Sequence, residues 1–348
     1  MSSRDDLRDI RAALSDVLDA AMPTSAIRAD AASAHGYDRT LWAELASGFG
    51  ITGMHAAEGA EGPLDLDPIW VVAELLGARL AALPYLSTVV LGTLPLLRAE
   101  RTDAGSEVLG ELLEGRLTAT SAEPVQGWRR HEGRLSGSSS AVLHGTDSDW
   151  ILLVDDGRVY GVHDPAGVTR EPVASIDLTR PTSAIDFQEA SLIELGTLSL
   201  EQQDRCRADL LTYLTHECAG GLRRVKDMAV QHLRDRHQFG VPLGSFQALK
   251  HRAADLAVDT VTSTAVARAA AAAVNTPAYL PAAERAFLFA SDAYVRAASS
   301  SLHMHGGLGF TWEFDSHLYY RRAYASTALA GRSSATRCRL GQRLMASA

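Results

Sequence analysis

The residues best placed to do chemistry lie in one stretch, Arg234-Asp-Arg-His-Gln-Phe-Gly240, continued by Val241-Pro-Leu-Gly-Ser-Phe-Gln247. It reads as the end of a long helix, a loop turning on Gly240, Pro242 and Gly244, and a second helix capped by Ser245. The guanidinium of Arg236 and the ring of Phe239 then share a helix-loop-helix corner where backbone can approach a ligand closely. A helical hairpin whose arginine is merely solvated is the plainer reading of the same residues, since arginine near a helix end is common.

The elements around this corner are bounded by composition. With 348 residues, 46% of them hydrophobic, the chain can bury a large core spread over two or three units. A formal charge of −9 argues against a sequence-independent nucleic-acid binder. No charged-then-apolar leader opens the chain and no apolar run approaches the ~20 residues that span a bilayer, so a cytoplasmic protein without membrane contact is expected. Cys206, Cys218 and Cys338 are odd in number and lack metal or redox spacing, which predicts free buried thiols and no metal site.

From Asp5 to about Glu114 apolar residues recur at helical spacing, as in Leu41, Trp42, Leu45 and Phe49, or Val71, Val72, Leu75 and Leu76. Glycines and the Glu58–Pro63 cluster punctuate this all-helical segment. After Gly115 the texture shortens: Trp150–Val154 and Arg158–Val162 flank Asp155-Asp156-Gly157, a hairpin signal. The Ser136–Ser140 run reads as a loop or polar strand edge. From Ser199, which forms a capping box with Gln202, a helix of about ten turns runs to Arg236. Phe246, Leu249, Ala253, Leu256 and Ala257 predict an apolar stripe on the next helix. Pro281 suits the first turn of a third, ending near Met304. After His305-Gly-Gly-Leu-Gly309, helices are expected from about Ser316 and over Ser333–Met345. The prediction is an α+β, multi-unit chain: an N-terminal helical domain (1–115), a middle β-barrel or sandwich domain (116–196) and a C-terminal four-helix-bundle-like domain (197–348).

Arg236-His-Gln-Phe-Gly240 with Phe246-Gln247, and then Met304-His-Gly-Gly-Leu-Gly-Phe-Thr-Trp-Glu313 with His317-Leu-Tyr-Tyr-Arg-Arg322, resemble the acyl-CoA dehydrogenase family. The resemblance implies that family's fold, FAD as cofactor, an acyl-CoA substrate and an electron-transfer flavoprotein as acceptor. It implies contacts from Arg236 and Phe239 to the flavin tail of a neighbouring subunit, and from Gln247, Gly306 and Gly307 to the same cofactor. His303 stands where the family carries glutamine, and it can still donate one hydrogen bond.

The chain also departs from that pattern. The family's glutamate base precedes a glycine nine residues after the triplet matched by Arg321-Arg322-Ala323; here the position is Ala330, followed by Gly331. A second family location for the base falls on Leu210. Asp209 and Glu217 are therefore candidate relocated carboxylates, each otherwise an ordinary helix residue. Ala122 replaces a threonine before Glu123-Pro124, and Ala141-Val142-Leu143 replaces the group that covers the flavin ring. Ring contacts and base are lost while tail contacts remain. This split resembles the short, degenerate subunits of α2β2 acyl-CoA dehydrogenases of actinobacteria, including those acting on steroid side-chain CoA thioesters. It implies a hetero-oligomer with a full-length homologue. A self-sufficient homo-oligomer with a relocated carboxylate and a non-enzymatic acyl-CoA-binding scaffold are the alternative readings.

Overall fold

The computed structural model describes residues 4–33, 35–55, 64–123, 128–330 and 333–346. Glu58–Pro63, Pro124 and Gly331, named above, lie outside the described residues. The chain opens with α1 (Arg4–Ala21), α2 (Thr24–Ala32), α3 (Arg39–Ala43), α4 (Asp67–Arg79), α5 (Leu94–Arg98) and α6 (Asp103–Leu113). A short strand, β1 (Glu100–Arg101), interrupts the segment expected to be wholly helical. Then come β2 (Ala119–Ser121), β3 (Arg129–His131), β4 (Arg134–Leu143), β5 (Trp150–Asp155), β6 (Arg158–Val162), β7 (Val168–Pro172), β8 (Thr182–Ser191) and β9 (Ile193–Thr197). The rest is α7 (Leu200–Asp235), a β10–β11 hairpin (His237–Gln238 and Val241–Pro242), α8 (Gln247–Ala271), α9 (Tyr279–His305), α10 (Ser316–Leu329) and α11 (Ser333–Ala346).

These elements form two compact units, one of Met1–Thr24, Leu66–Ala81 and Leu211–Ala348, the other of Ser25–Asp65 and Ala82–Leu210. The second unit holds a five-stranded sheet, β1-β9-β6-β5-β2, and a four-stranded sheet, β3-β4-β8-β7. The run Trp150-Ile-Leu-Leu-Val154 is apolar throughout because both faces of β5 are covered. Ile151 and Leu153 pack with Val142, Ile185 and Phe187 of the other sheet, while Trp150 and Leu152 pack with Leu109 and Leu112 of α6. The expected hairpin closes on Asp156 and Gly157, both with positive φ. Ser136–Ser140 is not a loop or sheet edge: it lies in β4, paired with β3 on one side and β8 on the other. Hydroxyls are tolerated there because a central strand satisfies its own backbone and only Ser139 of the run is fully buried.

In the first unit α4 and α7 cross closely, and two glycines permit it. A Cβ on Gly77 would sit 2.2 Å from the Glu217 carbonyl oxygen, and one on Gly220 2.1 Å from that of Glu74. The capping box forms at the head of α7: the Ser199 amide donates to Gln202 Oε1 (2.6 Å) and the Gln202 amide to Ser199 Oγ (3.2 Å). Helix α8 departs from its predicted stripe. Its buried side is Leu256, Thr260, Ser263, Ala267 and Ala270, whereas Phe246 and Ala257 are exposed. An alanine-rich helix has several weakly apolar faces, and close packing against α9 selects the one with small residues at helical spacing. Of the thiols, Cys218 is buried, Cys206 half-buried and Cys338 exposed, so the last corrects the expectation of burial. Among the described residues no helix is long and apolar enough to cross a membrane, and no cluster of His, Cys, Asp or Glu could hold a metal ion.

Candidate functional site

The corner after α7 is built by local rules. The Arg236 amide still donates to the His232 carbonyl (2.9 Å), and the chain then reverses in the β10–β11 hairpin. Its two turn residues, Phe239 (φ 55°) and Gly240 (φ 78°), both lie in the left-handed region, as a tight hairpin turn demands. Glycine adopts that geometry freely and phenylalanine does so under strain, which is a mark of functional positions. The Leu243 amide donates to the Arg236 carbonyl (2.7 Å) and closes the loop. Ser245 does not cap α8 as the sequence suggests. It ends a 3-10 turn, its hydroxyl donates to the Pro242 carbonyl (2.7 Å), and Phe246 occupies the cap position without a side-chain bond.

Arg236, Phe239, Gln247, His303, Gly306 and Gly307 lie in the first unit, whereas Asp209 lies in the second. Phe239 is 91% exposed and meets the edge of Phe246 at 6.3 Å between ring centroids. Arg236 and Gln247 are exposed as well, and Arg236 has no carboxylate partner among the described residues. The nearby carboxylate, Asp235, accepts from Gln231 Nε2 (2.8 Å) one turn back along α7. Helices α8 and α9 run antiparallel, with Arg296 donating to Asp259 at 3.0 Å, so the first turn of α8 is level with the last turn of α9. Gln247 and His303 therefore share one end of the bundle with Gly306 and Gly307. Gly306 has φ 60° and ψ −141°, a conformation essentially reserved to glycine. Open space surrounds the Cβ position of both glycines, leaving bare backbone to an incoming group.

Two histidines that sequence reasoning missed hold this end together. His232 of α7 meets His305 of α9 in a tilted ring contact at 4.3 Å, and His305 meets Phe314 at 4.4 Å. The His305 Nδ1–H donates to the Ser301 carbonyl (2.7 Å). Burial lowers the pKa of both imidazoles. Their only sequence signal was apolar-face spacing on two helices 73 positions apart in numbering, which does not identify a pair.

A cavity of about 570 Å³ runs along α7 beside the loop after Phe310. Asp227, Asp235, Glu313 and Asp315 line it against Arg224 and His232, so its charge is wrong for a diphosphate. The outer corner differs. There the unpaired guanidinium of Arg236, the primary amide of Gln247 and the exposed backbone of Gly306 and Gly307 share one end of the bundle, donor chemistry of the kind a diphosphate accepts.

The positions expected to supply a base behave otherwise. Ala330 ends α10 as its C-cap residue and is buried, with no group that takes a proton. Asp209 is neither solvated nor free: it is fully buried and accepts both Nε (2.6 Å) and Nη2 (2.8 Å) of Arg98. Glu217 does face the bundle, where it accepts from Nη1 of Arg322 (2.9 Å), itself 1% exposed. Each carboxylate is thus neutralised by a guanidinium out of water. In the second unit Ala122 and Val142 belong to the apolar core that joins the two sheets, and Leu143 is buried with its carbonyl accepting from Thr120 Oγ1 (2.6 Å). These side chains pack and offer no hydroxyl to a flavin ring.

A family model described as acyl-CoA dehydrogenase, C-terminal domain, matches residues 213–345. The chain is 34% identical over 309 residues to the acyl-CoA dehydrogenase IpdE2 of Mycolicibacterium smegmatis, covering 88% of each. Among solved structures it superposes on a chain of the ChsE4-ChsE5 complex from Mycobacterium tuberculosis with TM-score 0.88 at 25% identity, covering 99% of this chain and 98% of that one. A Tcur3481-Tcur3483 steroid ACAD variant gives the same TM-score at 23% identity, with the same coverage, and supports the fold.

Proposed function

The chain belongs to the acyl-CoA dehydrogenase family, and from that premise we propose that it is the supporting subunit of a heteromeric, flavin-dependent member. On this reading Arg236 pairs with the diphosphate of an FAD whose ring is held by a full-length partner chain. Phe239 packs on the adenosine end, and Gln247 with the backbone at Gly306 and Gly307 completes the cradle. The flavin, when bound, would supply the two-electron acceptor for the hydride that leaves the β-carbon of the acyl-CoA thioester, with an electron-transfer flavoprotein as the final acceptor. The proton at the α-carbon is removed by the partner's base. A steroid side-chain CoA thioester is the substrate class this reading expects, and the likeness to a chain of the ChsE4-ChsE5 complex favours a heteromer.

The observation that carries the reading is the contrast between an open, unpaired donor set at the corner and a base position closed by Ala330, with Asp209 and Glu217 both committed to arginines. A buried carboxylate holding a guanidinium is a poor general base, because taking a proton would break the pair and strand a buried cation. Nothing therefore favours a self-sufficient enzyme. The test is expression of the chain alone and together with a full-length homologue, followed by flavin count per chain and turnover. The expected result is little flavin and no turnover alone, and both in the complex. Full flavin loading and turnover by the chain alone would overturn the reading, and a complex without flavin would favour a scaffold.

A further inference from the structure

We propose that His303 makes this chain's hold on a diphosphate proton-dependent, so that binding takes up a proton. The inference rests on the reading above, in which the corner receives the FAD tail. It starts from one hydrogen bond: Nδ1 of His303 lies 2.8 Å from the Ser299 carbonyl oxygen in the preceding helical turn. A carbonyl only accepts, so Nδ1 carries the hydrogen. A neutral imidazole has one N–H, and here it is spent on the helix. The Nε2 of this exposed ring is then a bare lone pair, which repels a phosphate oxygen. Only the imidazolium offers N–H at Nε2 together with a positive charge. The donation expected of His303 from its sequence position therefore requires protonation. Glutamine would donate at every pH.

The charged and titratable groups at this end come from several elements. On α9 itself His305 is buried and turned to His232 and Phe314. The start of α8 contributes Lys250, His251, Arg252 and Asp255, the loop after Phe310 contributes Glu313 and Asp315, and the corner contributes Arg236, His237 and Asp235, the last engaged with Gln231. From α10, Arg321 lies over the Trp312 ring. A diphosphate bound at this end supplies the negative charge to which an Nε2–H would be donated. Imidazole is the side chain that changes charge between about pH 5 and 8, whereas the diphosphate diester of FAD keeps its charge there.

The experiment measures FAD affinity of the assembled complex, stripped and re-titrated, from pH 6 to pH 8. A charge-assisted hydrogen bond gained on protonation should tighten binding on the order of ten-fold at the acid end, with proton uptake visible as buffer-dependent heats of binding. His303→Gln should remove that slope and bind at pH 8 about as tightly as the wild type does at pH 6, whereas His237→Gln and His251→Gln should leave the slope in place. A slope unchanged in His303→Gln overturns the proposal. So does a flat wild-type profile while Arg236→Ala still weakens binding, which leaves the tail-binding reading standing. A flat profile with Arg236→Ala also silent removes both.

Discussion

Replacing Arg236 by alanine separates ligand binding from folding. Its side chain is exposed and has no carboxylate partner among the described residues, so its removal should change unfolding free energy by no more than about 0.5 kcal/mol. In the assembled complex the same change removes a charge-assisted contact to a diphosphate, worth about 1.5–3 kcal/mol. At about 1.4 kcal/mol per decade this weakens FAD binding roughly 10- to 150-fold. Arg236→Lys should fall between, since an ammonium keeps the charge and loses the planar fork. Added salt should weaken the wild type more than the alanine variant, because part of the lost contact is screened charge. The assay is flavin retained after gel filtration, then fluorescence titration of the stripped complex, with thermal unfolding as the control. Wild-type flavin occupancy and affinity in an intact Arg236→Ala complex would refute the assignment of this corner.

Arg322→Met leaves Glu217 buried without its guanidinium and should cost about 3–5 kcal/mol in urea unfolding, whereas Glu217→Leu combined with Arg322→Met should recover most of it. Ala330→Glu restores a carboxylate at the end of α10 but none of the contacts missing at Ala122 and Ala141–Leu143, so the isolated variant should still fail to bleach flavin with acyl-CoA in stopped flow. Burial pushes the Glu74 carboxyl up, but its bond with His216 and the charges of His216, Arg11 and Arg223 outweigh this and bring it from 4.5 to about 2. Its folded value is depressed, so it contributes about 3 kcal/mol that is present above pH 4.5 and lost as pH falls toward 2. Acid titration of stability should show this loss, and Glu74→Gln should flatten it.

The local grammar of the chain was legible where one segment decides its own conformation. The capping box of Ser199 and Gln202, the Asp156-Gly157 turn, Pro281 in the first turn of α9 and the glycine at 306 all follow from which backbone angles and donors a residue can offer its near neighbours. The order helix, sheet, helix bundle followed from hydrophobic period. What only the tertiary structure decided was the state of each charged or polar group. Asp209 could pass for a solvated residue or a base until Arg98, 111 positions away, was found on both its oxygens. His303 was a donor by composition and became an acceptor once its one hydrogen was seen committed to Ser299. A side chain's chemical type is written in the sequence, but its available proton or lone pair is whatever its partners leave over, and those partners are brought together by packing between distant segments.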